Sequence, residues 1–108
     1  MADCIIVTRH QGTVEWLTRN GITGPVKARA RRIDVEGKTV YGVLPLILSA
    51  YAKEIYLIEL PYLPGFETGT ELSADQLDEY GARLVRYQTI RTPPPVTFAQ
   101  ANAVVSQL

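Results

Sequence analysis

Apolar and polar positions change rhythm several times along this chain, and each change marks an element. Cys4-Ile5-Ile6-Val7 is a continuous apolar run rich in strand formers and predicts a buried strand over residues 3–8. After Thr8 the pattern breaks at Arg9, His10, Gln11 and Gly12. Val14 and Leu17 then recur at helical spacing, predicting a short helix capped by Thr13 that runs to Asn20 and stops at a left-handed Gly21. Ile22 to Pro25 is a turn. Over residues 26–33 basic and small apolar residues alternate with period two, as in a strand with one wet face at a sheet edge. A turn around Gly37 precedes a strand over 39–44, and Pro45 opens a helix over 45–53 that is apolar almost all round.

The second half repeats the alternation. Residues 54–60 form a third strong strand, and a loop over 61–72 follows. Ser73 and Gln76 make a capping box for a helix that ends at Gly81, with Leu77 and Tyr80 inward. Residues 82–91 alternate loosely, as in a last, partly exposed strand. Thr92-Pro93-Pro94-Pro95 is a stiff spacer. Thr97 and Gln100 form a second capping box, opening a tail helix with Phe98, Ala101, Val104, Val105 and Leu108 on one face.

Strands alternating with helices predict an α/β fold with a mostly parallel sheet of about five strands and helices on both faces. Right-handed crossovers bring the turn at 8–13, the turn at 42–45 and the loop at 61–72 to one rim, at the C-terminal ends of the strands. The lone Trp16 is expected to pack beneath the first turn, and the apolar helix at 45–53 to form a subunit interface.

Composition narrows the partners. A chain of 108 residues with 46% apolar content is a single globular domain with a modest core. Eleven basic and eleven acidic residues cancel, which disfavours a general binder of long nucleic acid and suits a pocket for one small anion. Cys4, the single cysteine, sits in the apolar run as a buried inert thiol and excludes an internal disulfide. Neither a secretory leader, a long apolar span nor Cys/His metal spacing is present. The expectation is a soluble cytoplasmic protein with no metal, cofactor or membrane partner.

The candidate chemistry lies in the first turn. A helix start offers unpaired backbone N–H groups and the positive end of its dipole to an anion. Arg9 can fork onto a phosphate, His10 can transfer a proton or donate to phosphate, and Gly12 lets backbone and ligand approach closely. Glu15 complements the dipole in the first helical turn. The four basic residues between 26 and 33 are either a solvated edge or a basic wall beside the pocket, the solvated edge being the simpler reading.

Four motifs in this order resemble one family: Thr8-Arg9-His10-Gln11-Gly12 with Trp16; Gly42-x-Leu44-Pro45; Gly69-x-Glu71-Leu72-Ser73; and Gly81-Ala82-Arg83-Leu84. It is the small standalone CRISPR-associated family of the Csx series numbered sixteen, found beside type III systems. The resemblance covers roughly residues 4–90 and leaves out the tail after Pro95. The chain departs from the family's pattern at Thr68, where an arginine often stands, and at Thr13, where a small alanine is usual.

The resemblance implies a Rossmann-like three-layer fold over residues 1–92, usually dimeric; outside it, residues 93–108 read as a spacer and a helix packing on the domain or a partner subunit. It implies a metal-independent ring nuclease that cleaves cyclic oligoadenylate, typically cyclic tetra-adenylate, through attack of the ribose 2'-hydroxyl on its own phosphate. On that reading His10 and Arg9 are catalytic, and Thr8, Gln11, Gly12, Thr13, Gly42, Leu44, Pro45, Glu71 and Ser73 bind substrate. A non-catalytic sensor or sequestering module uses the same donors, and an interaction protein would keep His10 as a structural residue. Arg-His before glycine also resembles the histidine phosphatases, but those need a second histidine, and His10 is the only one.

Overall fold

The computed structural model describes residues 3–61, 71–91 and 96–106. The middle of the predicted loop, 62–70, and the proline spacer, 92–95, lie outside the described residues. In chain order the elements are β1 (Cys4–Val7), α1 (Gln11–Arg19), β2 (Val26–Lys27), α2 (Arg32–Val35), β3 (Thr39–Gly42), α3 (Leu46–Ser49), β4 (Glu54–Glu59), α4 (Ala74–Glu79), β5 (Arg83–Tyr87) and α5 (Phe98–Ser106). The strands form one mixed sheet in the order β2-β1-β3-β4-β5. The first four run parallel, and β5 runs antiparallel to β4 at the far edge.

Side-chain alternation in the strands divides the core in two. Ile5, Val7, Val40 and Ile55 point to one face and pack with Val35 of α2. Ile6 points to the other and packs with Trp16 and Leu17 of α1 and with Ala74 and Leu77 of α4. Trp16 is buried, and its Nε1–H donates to Asp78 Oδ1 at 2.7 Å, so it joins α1 to α4. Arg19 adds an ion pair to Asp75 at 2.8 Å across the same seam. Gly21, at φ 83°, ends α1 as expected, and the Ser73–Gln76 box caps α4 in both directions.

Three elements differ from the sequence expectation. Helix α1 starts at Gln11 with His10 as its N-cap, three residues before the predicted cap Thr13, and this moves Glu15 out of the first turn. The predicted strand over 26–33 is only the two residues of β2, followed by a loop and the single turn of α2. Asp34 causes that break. Its carboxylate accepts from the Arg31 amide at 2.8 Å and from Lys27 Nζ at 3.0 Å, pulling the chain into a turn. The amide, with the Lys27 and Arg31 side chains, holds the buried carboxyl well below the usual carboxylate range.

The third difference is α3, which covers Leu46–Ser49 alone, with Pro45 as its N-cap rather than its first helical residue. Ser49 Oγ donates to the Leu46 carbonyl at 2.6 Å, and the chain then turns so that Tyr51 and Ala52 reach the first core cluster. Val43, Leu46 and Ile47 are left exposed to 74–78%. The tail helix is capped by Thr97 and Gln100 as its spacing predicts, while Phe98 at its start is 93% exposed. Among the described residues no helix is long and apolar enough to cross a membrane.

Candidate functional site

Sheet order reverses between β1 and β3: from β1 the chain crosses over to β2 on one side, then to β3 on the other. A crevice at such a reversal, outside the C-terminal strand ends, is where open α/β sheets hold ligands. Gly42 lets the two strand ends meet. Its φ is 130°, and a Cβ there would stand 2.0 Å from the Val7 carbonyl oxygen. Any side chain would force β3 away from β1 at the mouth of the crevice.

The cleft at this point has a volume of about 830 Å³, within the range of small-molecule sites. Thr8, Arg9, His10 and Thr13 line it from the first turn, Ala28, Arg29 and Ala30 from the loop after β2, and Gly42 to Pro45 from the loop after β3. Ile58 and Leu60 from the end of β4, with Leu72 and Leu77, supply an apolar wall. The cleft therefore combines two guanidinium groups and an imidazole with a largely aliphatic lining.

Local hydrogen bonding sets the donors. The His10 amide donates to Thr8 Oγ1 at 3.1 Å, tightening the turn. The His10 carbonyl accepts from the Thr13 amide at 3.1 Å, which closes the first turn of α1. Among the described residues, Arg9 and Arg29 form no ion pair with a carboxylate. The other cations of the 26–33 segment are engaged: Lys27 and Arg31 on Asp34, and Arg32 on Glu36 at 2.8 Å and over the Tyr51 ring at 4.2 Å. Both earlier readings of that segment hold in part, since three of its cations serve structure and Arg29 faces the cleft.

The sequence-predicted residues separate accordingly. Thr8, Arg9, His10, Thr13, Gly42, Leu44 and Pro45 come together in the cleft. Glu71 meets His10 instead of open space: its Oε2 lies 2.7 Å from His10 Nδ1. Gln11 is exposed and does not line the cleft. Gly12 is buried, and its missing side chain admits a different neighbour from the one predicted: a Cβ would stand 1.9 Å from the Leu72 carbonyl oxygen. The close approach is α1 against the segment leading into α4. Ser73 uses its hydroxyl to cap α4, accepting from the Gln76 amide at 3.1 Å. Of the apolar lining residues Ile58, Leu60, Leu72 and Leu77, only Leu72 falls in a motif, and their convergence shows only once β4 and α4 are placed.

A family model described as "Putative CRISPR-associated protein (Cas_VVA1548)" matches residues 5–90. The chain belongs to this family. The match spans both turns of the cleft, Arg29 and Glu71, and leaves out α5. No curated protein and no solved structure matches the chain.

Proposed function

We propose that this member of the Cas_VVA1548 family is a ring nuclease that binds and opens cyclic oligoadenylate, most simply cyclic tetra-adenylate, and so ends type III signalling in the cytoplasm. The observation that carries the reading is the convergence of Arg9, Arg29 and His10 on one cleft that Ile58, Leu60, Leu72 and Leu77 also line. Guanidinium groups hold phosphoryl oxygens, and Leu60 and Leu72 offer a dry surface to adenine. The two core clusters on opposite sheet faces support a Rossmann-like three-layer arrangement.

The chemistry asked of the chain is modest. Attack by the ribose 2'-hydroxyl on its adjacent phosphate is intramolecular, so the protein has only to hold the oxygens in line. Arg9 and Arg29 neutralise charge building on the phosphoryl oxygens, worth most in a site that excludes water. A proton-transfer group adds roughly 10²–10⁴-fold, and His10 is within the cleft to serve. We place a two-fold dimer around the ring, burying Val43, Leu46 and Ile47 beside the cleft mouth, so that two copies of His10 serve opposite phosphates.

Incubating the purified protein with cyclic tetra-adenylate in excess chelator tests the proposal. Linear products ending in a 2',3'-cyclic phosphate are expected. Tight binding without turnover would replace the nuclease by a sensor, and neither binding nor turnover would remove both.

A further inference from the structure

We propose that Glu71 is a positioning residue that holds His10 with its proton on Nδ1, leaving Nε2 as the proton acceptor of the cleft. The inference rests on the nuclease reading for its consequence and on the His10–Glu71 geometry for its content. At 2.7 Å the contact between Glu71 Oε2 and His10 Nδ1 is a short, charge-assisted hydrogen bond. An ionised carboxylate only accepts, so the ring nitrogen facing it carries the proton. In neutral imidazole the other nitrogen then holds a lone pair. Nε2 lies on the far side of the ring from Glu71, and His10 lines the cleft.

Stability does not explain the pair. Both side chains are about 60% exposed, where an ion pair contributes little to folding. The remaining charged groups that line the cleft with His10 are Arg9 and Arg29, both cations, and neither can orient an imidazole by accepting its proton. His10 is fixed at its backbone as the N-cap of α1, yet its side chain makes no cap hydrogen bond, so the ring is free to answer to Glu71. A carboxylate from a segment 61 residues away thus does for this imidazole what a buried aspartate does for the histidine of a serine-protease triad.

The assignment makes His10 the general base. Nε2 takes the 2'-hydroxyl proton as the 2'-oxygen bonds to phosphorus. The bond from phosphorus to the 5'-oxygen breaks, and that oxygen takes a proton from water. The imidazolium returns its proton to solvent. Ring and linear product are isomers, and no other reactant is used. Glu71 remains ionised throughout and stabilises the imidazolium.

The single histidine makes the test direct. Imidazole nitrogen chemical shifts in the full, unliganded chain identify the tautomer without any turnover. Neutral His10 is expected in the Nδ1–H form. Glu71→Ala should revert it to the Nε2–H form. Glu71→Gln, which keeps an acceptor, should retain the tautomer. With cyclic tetra-adenylate, Glu71→Ala should reduce kcat at least about tenfold with little change in KM, the ceiling being the roughly 10⁴-fold of a triad histidine in the wrong tautomer. A wild-type Nε2–H imidazole, or a tautomer unmoved by Glu71→Ala, overturns the assignment. The spectroscopic readouts need no cleavage, so failure of the nuclease reading would show separately, as absent turnover by a wild-type chain whose tautomer is the expected one.

Discussion

Among the basic side chains, commitment to a carboxylate separates structure from function. Arg32 is committed twice, to Glu36 and to the face of Tyr51, whereas Arg29, three residues earlier, lines the cleft with no carboxylate partner among the described residues. A guanidinium on a phosphate contributes about 1.5–3 kcal/mol. Arg29→Ala should therefore weaken cyclic tetra-adenylate binding about tenfold or more by titration calorimetry, and Arg32→Ala should leave it nearly unchanged. Equal losses for both variants would mean that general positive charge, not the cleft, attracts the ligand. Asp34 explains why one stretch divides in this way. Its buried carboxylate draws in Lys27 and Arg31 and leaves Arg29 on the loop between them.

Contact between α1 and the entry to α4 sets the site's precision at the level of elements. Helix α1 carries His10 at its cap, and the segment before α4 carries Glu71, so their pairing depends on how closely the two elements approach. Gly12 determines that distance, because the Leu72 carbonyl occupies the space where a Cβ would sit. The obstacle is backbone and cannot rotate aside. Gly12→Ala should destabilise the fold by about 1–3 kcal/mol, the usual cost of overpacking, and separate His10 from Glu71. Thermal unfolding measures the first effect and the His10 tautomer the second. An unchanged melting temperature with an unchanged tautomer would show that α4 moves freely against α1. Trp16, Asp78, Arg19 and Asp75 brace the same seam from the far end.

On the scale of the whole molecule, an apolar patch beside the cleft is exposed among the described residues. Val43, Leu46 and Ile47 form an exposed apolar rim where the loop after β3 leaves the cleft. Ile47→Glu should leave melting nearly unaltered, since the side chain is already 76% exposed, while halving the mass seen by sedimentation if two copies meet there. A wild-type chain that sediments as a monomer, or a variant of unchanged dimeric mass, would remove the paired-subunit site. The tail poses a similar question with less to decide it, because Phe98 begins a helix outside the family match and is almost wholly exposed.

What could be read along the chain were features whose causes lie within a few residues. The apolar run of β1, the two capping boxes, the stop at Gly21 and the order of the elements other than α2 all follow from backbone donors, side-chain period and turn stereochemistry. The meeting of the turns after β1 and β3 followed as well, because crossover handedness is a property of every such chain. Contacts between distant segments were decided only in three dimensions. Whether Gly12 admits a ligand or a carbonyl, which of four cations reaches the cleft, and whether Glu71 faces substrate or His10 each depend on two segments far apart in sequence. Period and propensity report a residue's own conformation, whereas a partner is chosen by packing, and packing exists only once the sheet has brought both segments together.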